Sequence, residues 1–431
     1  MIAALVLVLC IDALVLRWWW GQGSSAWSVQ VSRETTYILE PLFPDGLPDY
    51  RAFLRMRQIG PHPRSSNAVL DLYEVFGTEL FREDKRAWAM AELGLSGEHQ
   101  GEFVRTEAYA RAACRSDEQR CKNTLDDALG VGCAGLSGAS LELTRAWIAA
   151  NERALDAARR VGDKPMLYAP IDELSNSSLR WSVLVPLHTG LACRGMLRAE
   201  QGAHAAAAGD VVALWKLGEL SRNDHGLLPV LIGFKLIDLP NQVALKLAAS
   251  DELPPSVVDQ LLRSIPIIDD RALTIAWVNH ERVEALLLLI SAVRARKMAG
   301  AGTRPGRELA KRAFDLETVL RRVNDSFDRL EGAANAPSQT ERLRALSTAV
   351  KLHDEGAKRR LASQRRLGRL EPLACAVPFA GQWCTLNERI ADTAVFKRPL
   401  ALGSLAKIHE KMAAVEVTRQ ALVAARAKLR P

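Results

Sequence analysis

The fold class follows from residues 178–222, which read SLRWSVLVPLHTGLACRGMLRAEQGAHAAAAGDVVALWKLGELSR. Apolar residues recur along this stretch at helical spacing, and Val211, Leu214 and Leu217 fall on one face of a helix. The first helix begins near Ser178 and continues through an alanine-rich segment, and Gly209-Asp210 is expected to separate it from the second. The stretch therefore predicts two packed helices joined by a short break.

Helical periodicity extends through most of the chain on either side of this pair. Val69, Tyr73 and Phe76 fall on one face of a helix that Gly77 is expected to end. A longer stripe of apolar residues runs from 143 to 158. We predict an all-α protein, with an N-terminal transmembrane helix followed by an irregular multi-helical domain of helix hairpins. The pair around Gly209 is partly tetratricopeptide-like, but no second copy follows at the period of about 34 residues that such repeats have.

The last third of the chain predicts a helical hairpin. Apolar residues between Leu316 and Leu330 follow one another at intervals of three and four, and the same spacing continues from Leu343 to Ala357. Ser338 and Glu341, between these seams, form a capping box that marks a helix start. The final helix is expected from about Ser404 to Leu429.

These patterns define five segments. Residues 1–20 form a transmembrane anchor, because Ile2 to Leu16 is apolar except for Asp12 and is followed by Arg17 and three tryptophans, which suit the membrane interface. The others are an extended linker at 21–48, a helical domain at 49–297, a Gly-rich linker at 298–307 and a basic helical hairpin region at 308–431.

Composition excludes several classes of protein. The chain has 431 residues, 48% of them hydrophobic, with a net charge of +7, which excludes a disordered, collagen-like or multi-span membrane protein. Residues 281–431 hold 29 Lys and Arg against 16 Asp and Glu, whereas residues 1–280 hold 28 against 34. A basic back part joined to a mildly acidic front part is compatible with an anionic partner.

The densest basic run lies within the predicted hairpin region. A helix would spread its charges over more than one face, where they suit acidic lipid, another polyanion or simple solvation. The run lacks interleaved aromatic residues, which disfavours nucleic acid. The residues available for contact with an anionic partner are Lys358, Arg359, Arg360, Arg365, Arg366 and Arg369.

Cysteine usage indicates an oxidising compartment. Six cysteines lie beyond the predicted anchor, and two pairs, Cys114 with Cys121 and Cys375 with Cys384, are close in sequence. An even number with close pairs fits disulfides, although six unrelated buried thiols are the alternative. We therefore expect the bulk of the chain to be periplasmic or otherwise extracytoplasmic.

Three short motifs have residue types that can carry chemistry, but none of them predicts a catalytic residue, a cofactor or a metal. Gly130 to Gly135 matches G-x-G-x-x-G, but no apolar strand precedes it, so an interhelical turn is favoured over a dinucleotide site. His280 and Glu284 are one helical turn apart and supply only two of the three or four ligands that zinc takes. Charge pairing on an exposed helix face explains that pair better, and Asp224-His225 is favoured as a turn over an acid–base couple.

The front of the chain resembles a family of uncharacterised bacterial proteins with one N-terminal span. The resemblance rests on residues 32–42, SRETTYILEPL, on Asp45-Gly46, Asp49-Tyr50 and Asn67-Ala68, and on the later Gly209-Asp210. It covers about residues 30–260. It implies a membrane-tethered helical domain and brings no activity and no functional residue.

The sequence favours a non-enzymatic, membrane-tethered interaction or scaffold protein of the bacterial cell envelope, with a protein partner. One alternative is an envelope hydrolase or metal-dependent enzyme that uses His225 or the pair of His280 and Glu284. Another is a module on the cytoplasmic side that contacts acidic lipid through its basic helices.

Overall fold

The computed structural model describes residues 29–114, 117–171, 177–222, 227–299, 316–349 and 402–429. These residues form helices and loops, and within them the only β-type pairing is a set of isolated bridges. The all-α prediction is therefore confirmed. No helix in this described part combines the length and apolar character that a membrane crossing needs. The predicted anchor at residues 1–20 lies outside the described residues.

The α-helices of the described residues are numbered here in chain order. They are α1 (Tyr50–Ile59), α2 (Ala68–Phe76), α3 (Arg86–Leu93), α4 (Thr106–Ala113), α5 (Glu118–Gly130), α6 (Gly138–Ala150), α7 (Glu152–Val161), α8 (Leu184–Glu200), α9 (His204–Arg222), α10 (Leu227–Ala248), α11 (Pro255–Ser264), α12 (Asp270–Ala299), α13 (Leu316–Ala334), α14 (339–349) and α15 (Leu402–Lys428). Short 3₁₀ turns occur at Arg64–Ser66, Thr78–Leu80, Glu83–Lys85 and Trp181–Val183.

The chain divides into two compact units that do not follow its linear order. The first unit consists of Met1–Phe53, Glu173–Ser175 and Asp270–Leu402, and the second consists of Leu54–Asp172, Asn176–Asp269 and Gly403–Pro431. The predicted helical domain at 49–297 and the predicted hairpin region at 308–431 are thus each divided between the two units. Contacts far apart in sequence decide this division.

The first unit is built on a pair of long helices. Apolar residues at helical spacing bury one face of α12 against α13, including Leu286 and Ile290 of α12 and Val323 and Phe327 of α13. The predicted seam in α13 is confirmed, since its described members from 320 to 330 are buried. The capping box before α14 is confirmed as well, because the Glu341 amide donates to the Ser338 hydroxyl and the Ser338 amide donates to the Glu341 carboxylate.

Residues 32–50 form a set of turns that belongs to the first unit. The Asn324 amide donates to the carbonyls of Glu34 and Thr35 at 3.1 and 2.9 Å, and the Tyr50 hydroxyl donates to the Thr36 carbonyl at 2.6 Å. Asp49 caps the start of α1 by accepting from the Ala52 amide. Several residues that carry the family resemblance therefore have structural roles in this segment.

The second unit is centred on α8, α9 and α10. The Trp215 indole of α9 donates to the Asn241 side chain of α10 at 2.9 Å, within a buried apolar cluster. Close approach of these two helices depends on Gly218 and Gly233, since a Cβ atom at Gly218 would lie 2.9 Å from the Gly233 carbonyl oxygen. The C-terminal helix α15 belongs to this unit and buries Leu422.

Four helix boundaries differ from the sequence expectations. The helix expected from near Ser178 begins at Leu184, after the 3₁₀ turn at Trp181–Val183. Gly209-Asp210 lies inside α9, and the break falls earlier, at Gln201 to Ala203, where Gly202 has a φ of +72°. The stripe from 143 to 158 is two helices, because the buried Asn151 side chain binds the Val104 backbone between them. The final helix begins at Leu402, so Ser404 lies within it and is not its N-cap.

Candidate functional site

A network of charged side chains with a buried centre joins α7, α8 and α9 in the second unit. We call it the charge network, and its members are Glu152, Asp156, Arg159, Arg194, Arg198 and Asp210. The Arg194 guanidinium donates two hydrogen bonds to the Asp210 carboxylate, from Nη2 to Oδ1 at 2.7 Å and from Nε to Oδ2 at 3.2 Å. Only 3% of the Arg194 side chain and 1% of the Asp210 side chain are exposed.

Further contacts extend the network to both sides of this pair. Arg198 also reaches Asp210, with Nη1 2.9 Å from Oδ2, and its Nη2 lies 2.7 Å from Glu152 Oε1. Arg194 Nη1 lies 2.9 Å from Asp156 Oδ1, and Arg159 Nε approaches Asp210 Oδ1 at 3.6 Å. Three guanidinium groups thus surround one buried carboxylate.

Burial and charge act in opposite directions on the pKa values of the central pair. Burial raises the pKa of the Asp210 carboxyl, and the hydrogen bond and charges of its arginine partners offset part of that rise. Burial also disfavours the charged form of Arg194, but Asp210 and the other carboxylates outweigh it and raise the pKa of the guanidinium. Desolvation of the two charges offsets much of the attraction within such a pair, whereas removal of one partner leaves an unpaired charge in the interior.

A glycine makes room for the third guanidinium. A Cβ atom at Gly209 would overlap the Arg159 guanidinium, so the lack of a side chain at this position lets the guanidinium lie against α9. Gly162, just after α7, has a similar role, since a Cβ atom there would lie 2.9 Å from the Lys216 Cβ. The Gly209-Asp210 dipeptide was expected to end a helix. Instead, Gly209 admits the Arg159 side chain and Asp210 is the buried carboxylate of the charge network.

A polar cleft of about 510 Å³ opens beside the network. The nonpolar part of its lining comes from α9 and consists of Gly209, Val212 and Ala213. Its remaining lining is polar or charged and comes from α7, the turn after α7, α9 and α11. These side chains are Asp156, Arg159, Arg160, Asp163, Lys216 and Gln260.

Two disulfides lie in the second unit. One joins Cys133, in the turn after α5, to Cys193 of α8, which directly precedes Arg194. The other joins Cys114 to Cys121, the first of the two close pairs considered from sequence. Cys375 and Cys384, the second such pair, lie outside the described residues. Cys133 lies within the G-x-G-x-x-G match, which follows helix α5 as a turn and is not preceded by a strand.

His280 and Glu284 meet within α12 of the first unit. His280 Nε2 lies 3.1 Å from Glu284 Oε1, and both side chains are buried, so the expectation of an exposed face was wrong. Across the described part of the chain, no cluster of three or more His, Cys, Asp or Glu side chains is arranged to hold a metal ion. Asp224-His225 and the basic residues Lys358, Arg359, Arg360, Arg365, Arg366 and Arg369 lie outside that part.

A second buried arginine, Arg282, lies in α12. Its guanidinium stacks over the Tyr37 ring, 4.4 Å from the centroid, and pairs with Asp328 at 2.8 Å and Glu331 at 3.1 Å. It thereby attaches the turn segment at residues 32–50 to the pair of α12 and α13. Each of these contacts is internal to the first unit.

Sequence reasoning missed the charge network, although two signals for it exist. Arg194 and Arg198 are one helical turn apart, as are Glu152 and Asp156, so each pair shares a helix face. Asp210 stands in an otherwise apolar run, Ala207 to Leu214, and a charge in such a run predicts a buried partner. The identity of the partner required the fold.

Comparisons with protein-family models, with curated proteins and with solved structures found no match to this chain. The resemblance of residues 30–260 to a membrane-tethered bacterial family therefore stays a prediction.

Proposed function

We propose that this chain is a non-enzymatic interaction or scaffold protein of the bacterial cell envelope, tethered by residues 1–20, that binds a partner protein in the cleft of its second unit. The observation that carries the proposal is the cleft itself, a 510 Å³ space bordered by charged side chains. That volume lies within the range typical of ligand sites. Its polar lining favours a charged or hydrogen-bonding ligand over an apolar one.

Two side chains of the cleft wall already have partners within the protein. Asp156 is held by Arg194, and Arg159 lies against Gly209 beside Asp210. Side chains that are fixed before a ligand arrives lose little conformational entropy when it binds. This organisation supports a binding role for the cleft.

The proposed location rests on the cysteines. Disulfides persist in oxidising compartments and are rare in the cytosol. The pairs Cys114–Cys121 and Cys133–Cys193 support a second unit outside the cytoplasm. They favour this placement over the alternative in which the basic helices contact acidic lipid on the cytoplasmic side.

Site-specific photo-cross-linking in native membranes tests this proposal. A photo-cross-linking amino acid replaces Gln260, which lines the cleft, and in a control chain it replaces Val423, which is exposed on α15. We expect a discrete adduct with one envelope protein from position 260 and none from position 423. Equal adducts from both positions, or none from position 260, would contradict the proposal.

A further inference from the structure

We propose that the ligand of the cleft is an acidic peptide segment of the partner protein, with a carboxylate held by Arg160 and Lys216. This inference rests on the proposed function and specifies its chemistry. Three cations, Arg159, Arg160 and Lys216, line the cleft together with two carboxylates, Asp156 and Asp163. One positive charge is therefore in excess at neutral pH.

The excess charge is located on Arg160. Arg159 approaches Asp210, and Lys216 Nζ lies 2.7 Å from Asp163 Oδ1. The Arg160 guanidinium donates to the Asp156 carbonyl at 3.3 Å, and no carboxylate of the described residues lies within ion-pair distance of it. A guanidinium fork matches a carboxylate with two parallel hydrogen bonds.

Lys216 is available as a second donor. Its pair with Asp163 is well exposed on both sides, and an exposed ion pair contributes little free energy. An incoming carboxylate can therefore share the ammonium group at small cost. Arg160 and Lys216 line the same cleft, so both cations face an acidic segment that occupies it.

The cleft also offers acceptors, which favours a peptide over a bare anion or a lipid headgroup. Asp156 and Asp163 each have carboxylate oxygens that accept from N–H groups, and Gln260 offers both a donor and an acceptor. A peptide presents a row of backbone N–H donors beside its acidic side chains, whereas a phosphate has few O–H donors and several oxygens that these carboxylates repel. The cleft volume of about 510 Å³ is more than one small anion fills.

Calorimetric titration of the purified chain tests the inference. The probe is the peptide acetyl-Gly-Asp-Glu-Asp-Gly-amide, and its neutral twin is acetyl-Gly-Asn-Gln-Asn-Gly-amide. We expect binding of the acidic peptide that weakens at least tenfold in the double variant Arg160→Gln with Lys216→Gln. Arg153→Gln, on the same helix with an exposed side chain outside the cleft lining, should bind as the unaltered chain does.

A second variant separates lost binding from lost folding. Gln260→Glu adds a carboxylate to the cleft without removing any described ion pair, and it should also weaken the acidic peptide while the thermal unfolding midpoint stays unchanged. Inorganic phosphate and anionic phosphatidylglycerol vesicles are titrated in parallel. The inference would be overturned if the neutral twin bound as tightly as the acidic peptide, or if neither cleft variant weakened binding of the acidic peptide. It would also be overturned if phosphate or the vesicles bound more tightly than the peptide.

The outcomes also distinguish this inference from the proposed function. An adduct from position 260 in membranes without acidic-peptide binding would retain the interaction role and reject the acidic ligand. Acidic-peptide binding without any membrane adduct would establish the ligand chemistry and reject a stable envelope partner at the cleft.

Discussion

Arg194 in the second unit and Arg282 in the first are equally buried, with 3% of each side chain exposed, yet their partners differ. The main partner of Arg194 is Asp210, which is itself 1% exposed. The partners of Arg282 are an aromatic ring and carboxylates that reach solvent, with Asp328 63% exposed. The charge of a buried arginine can thus be balanced by a carboxylate that is itself buried or by carboxylates that remain in contact with solvent. We expect the two arrangements to respond differently to mutation.

Asp210→Asn is expected to have the largest effect. It leaves Arg194 without the carboxylate that neutralises it in the interior, and breaking a buried pair in this way costs about 3–5 kcal/mol. Amide hydrogen exchange, followed by mass spectrometry, reports the stability of α9 and α12 separately. We expect protection to fall in α9 and to stay unchanged in α12. A loss below 1 kcal/mol in α9 would show that Asp210 is not the essential partner.

Removal of the Cys133–Cys193 disulfide is expected to have the second largest effect on stability. It closes a loop of 60 residues that ends at Cys193, next to Arg194. The relation between loop length and the entropy of the unfolded chain gives a stabilisation of about 4 kcal/mol for such a loop. The Cys114–Cys121 disulfide spans 7 residues and should contribute about 2.5 kcal/mol. Replacing each pair by serine and measuring exchange in α8 tests this order. The opposite order would mean that loop length does not govern stability here.

His188, on the same helix as Arg194, predicts a pH dependence of the second unit. Burial, together with the charge of Lys235, lowers the pKa of its imidazole to about 3. Well above pH 6.5 the imidazole is neutral in the folded and unfolded forms alike. As the pH falls towards 3 only the unfolded form binds the proton, so stability decreases by about 2 kcal/mol between pH 7 and pH 5.

Urea unfolding of the whole chain at pH 7, 6 and 5 measures this dependence. His188→Leu cannot titrate and should flatten the pH profile, whereas His62→Gln, at an exposed position, should leave the slope unchanged. An identical slope in the His188 variant would assign the dependence to other groups.

Arg282→Met is expected to cost about 2 kcal/mol, less than Asp210→Asn or the loss of the Cys133–Cys193 disulfide. The stacking over Tyr37 is lost, and a desolvated cation–π contact contributes about that much. Methionine retains apolar contact, and the solvated Asp328 needs no replacement partner. Exchange in α12 measures the loss. A loss equal to that of Asp210→Asn would remove the contrast between the two arginines.

The elements that were predicted from sequence depend on neighbours along the chain. The apolar seam of α13, the Gly77 stop after α2 and the capping box at Ser338 involve residues three or four apart. Local spacing therefore sufficed to find them. The break at Gly209 was wrong because a glycine inside a helix carries the same sequence signal whether it ends the helix or admits a neighbouring side chain.

The candidate site could not be predicted in the same way. Arg194 is 38 residues from Asp156 and 16 from Asp210, and nothing in local periodicity specifies which charges on different helices will meet. The buried pair of His280 and Glu284 was taken as exposed for a related reason, since α12 carries charged residues among apolar ones and only packing decides which face is covered.

The sequence by itself determined that this chain is helical, where several of its described helices lie and how some of them begin or end, because helix formation depends on residues within one or two turns. Tertiary structure decided that Asp210 is buried among three guanidinium groups, that Cys133 pairs with Cys193 and that a charged cleft opens beside α9. Those features depend on how distant helices dock, and docking is set by the combined shapes and charges of whole faces. No short segment contains that information.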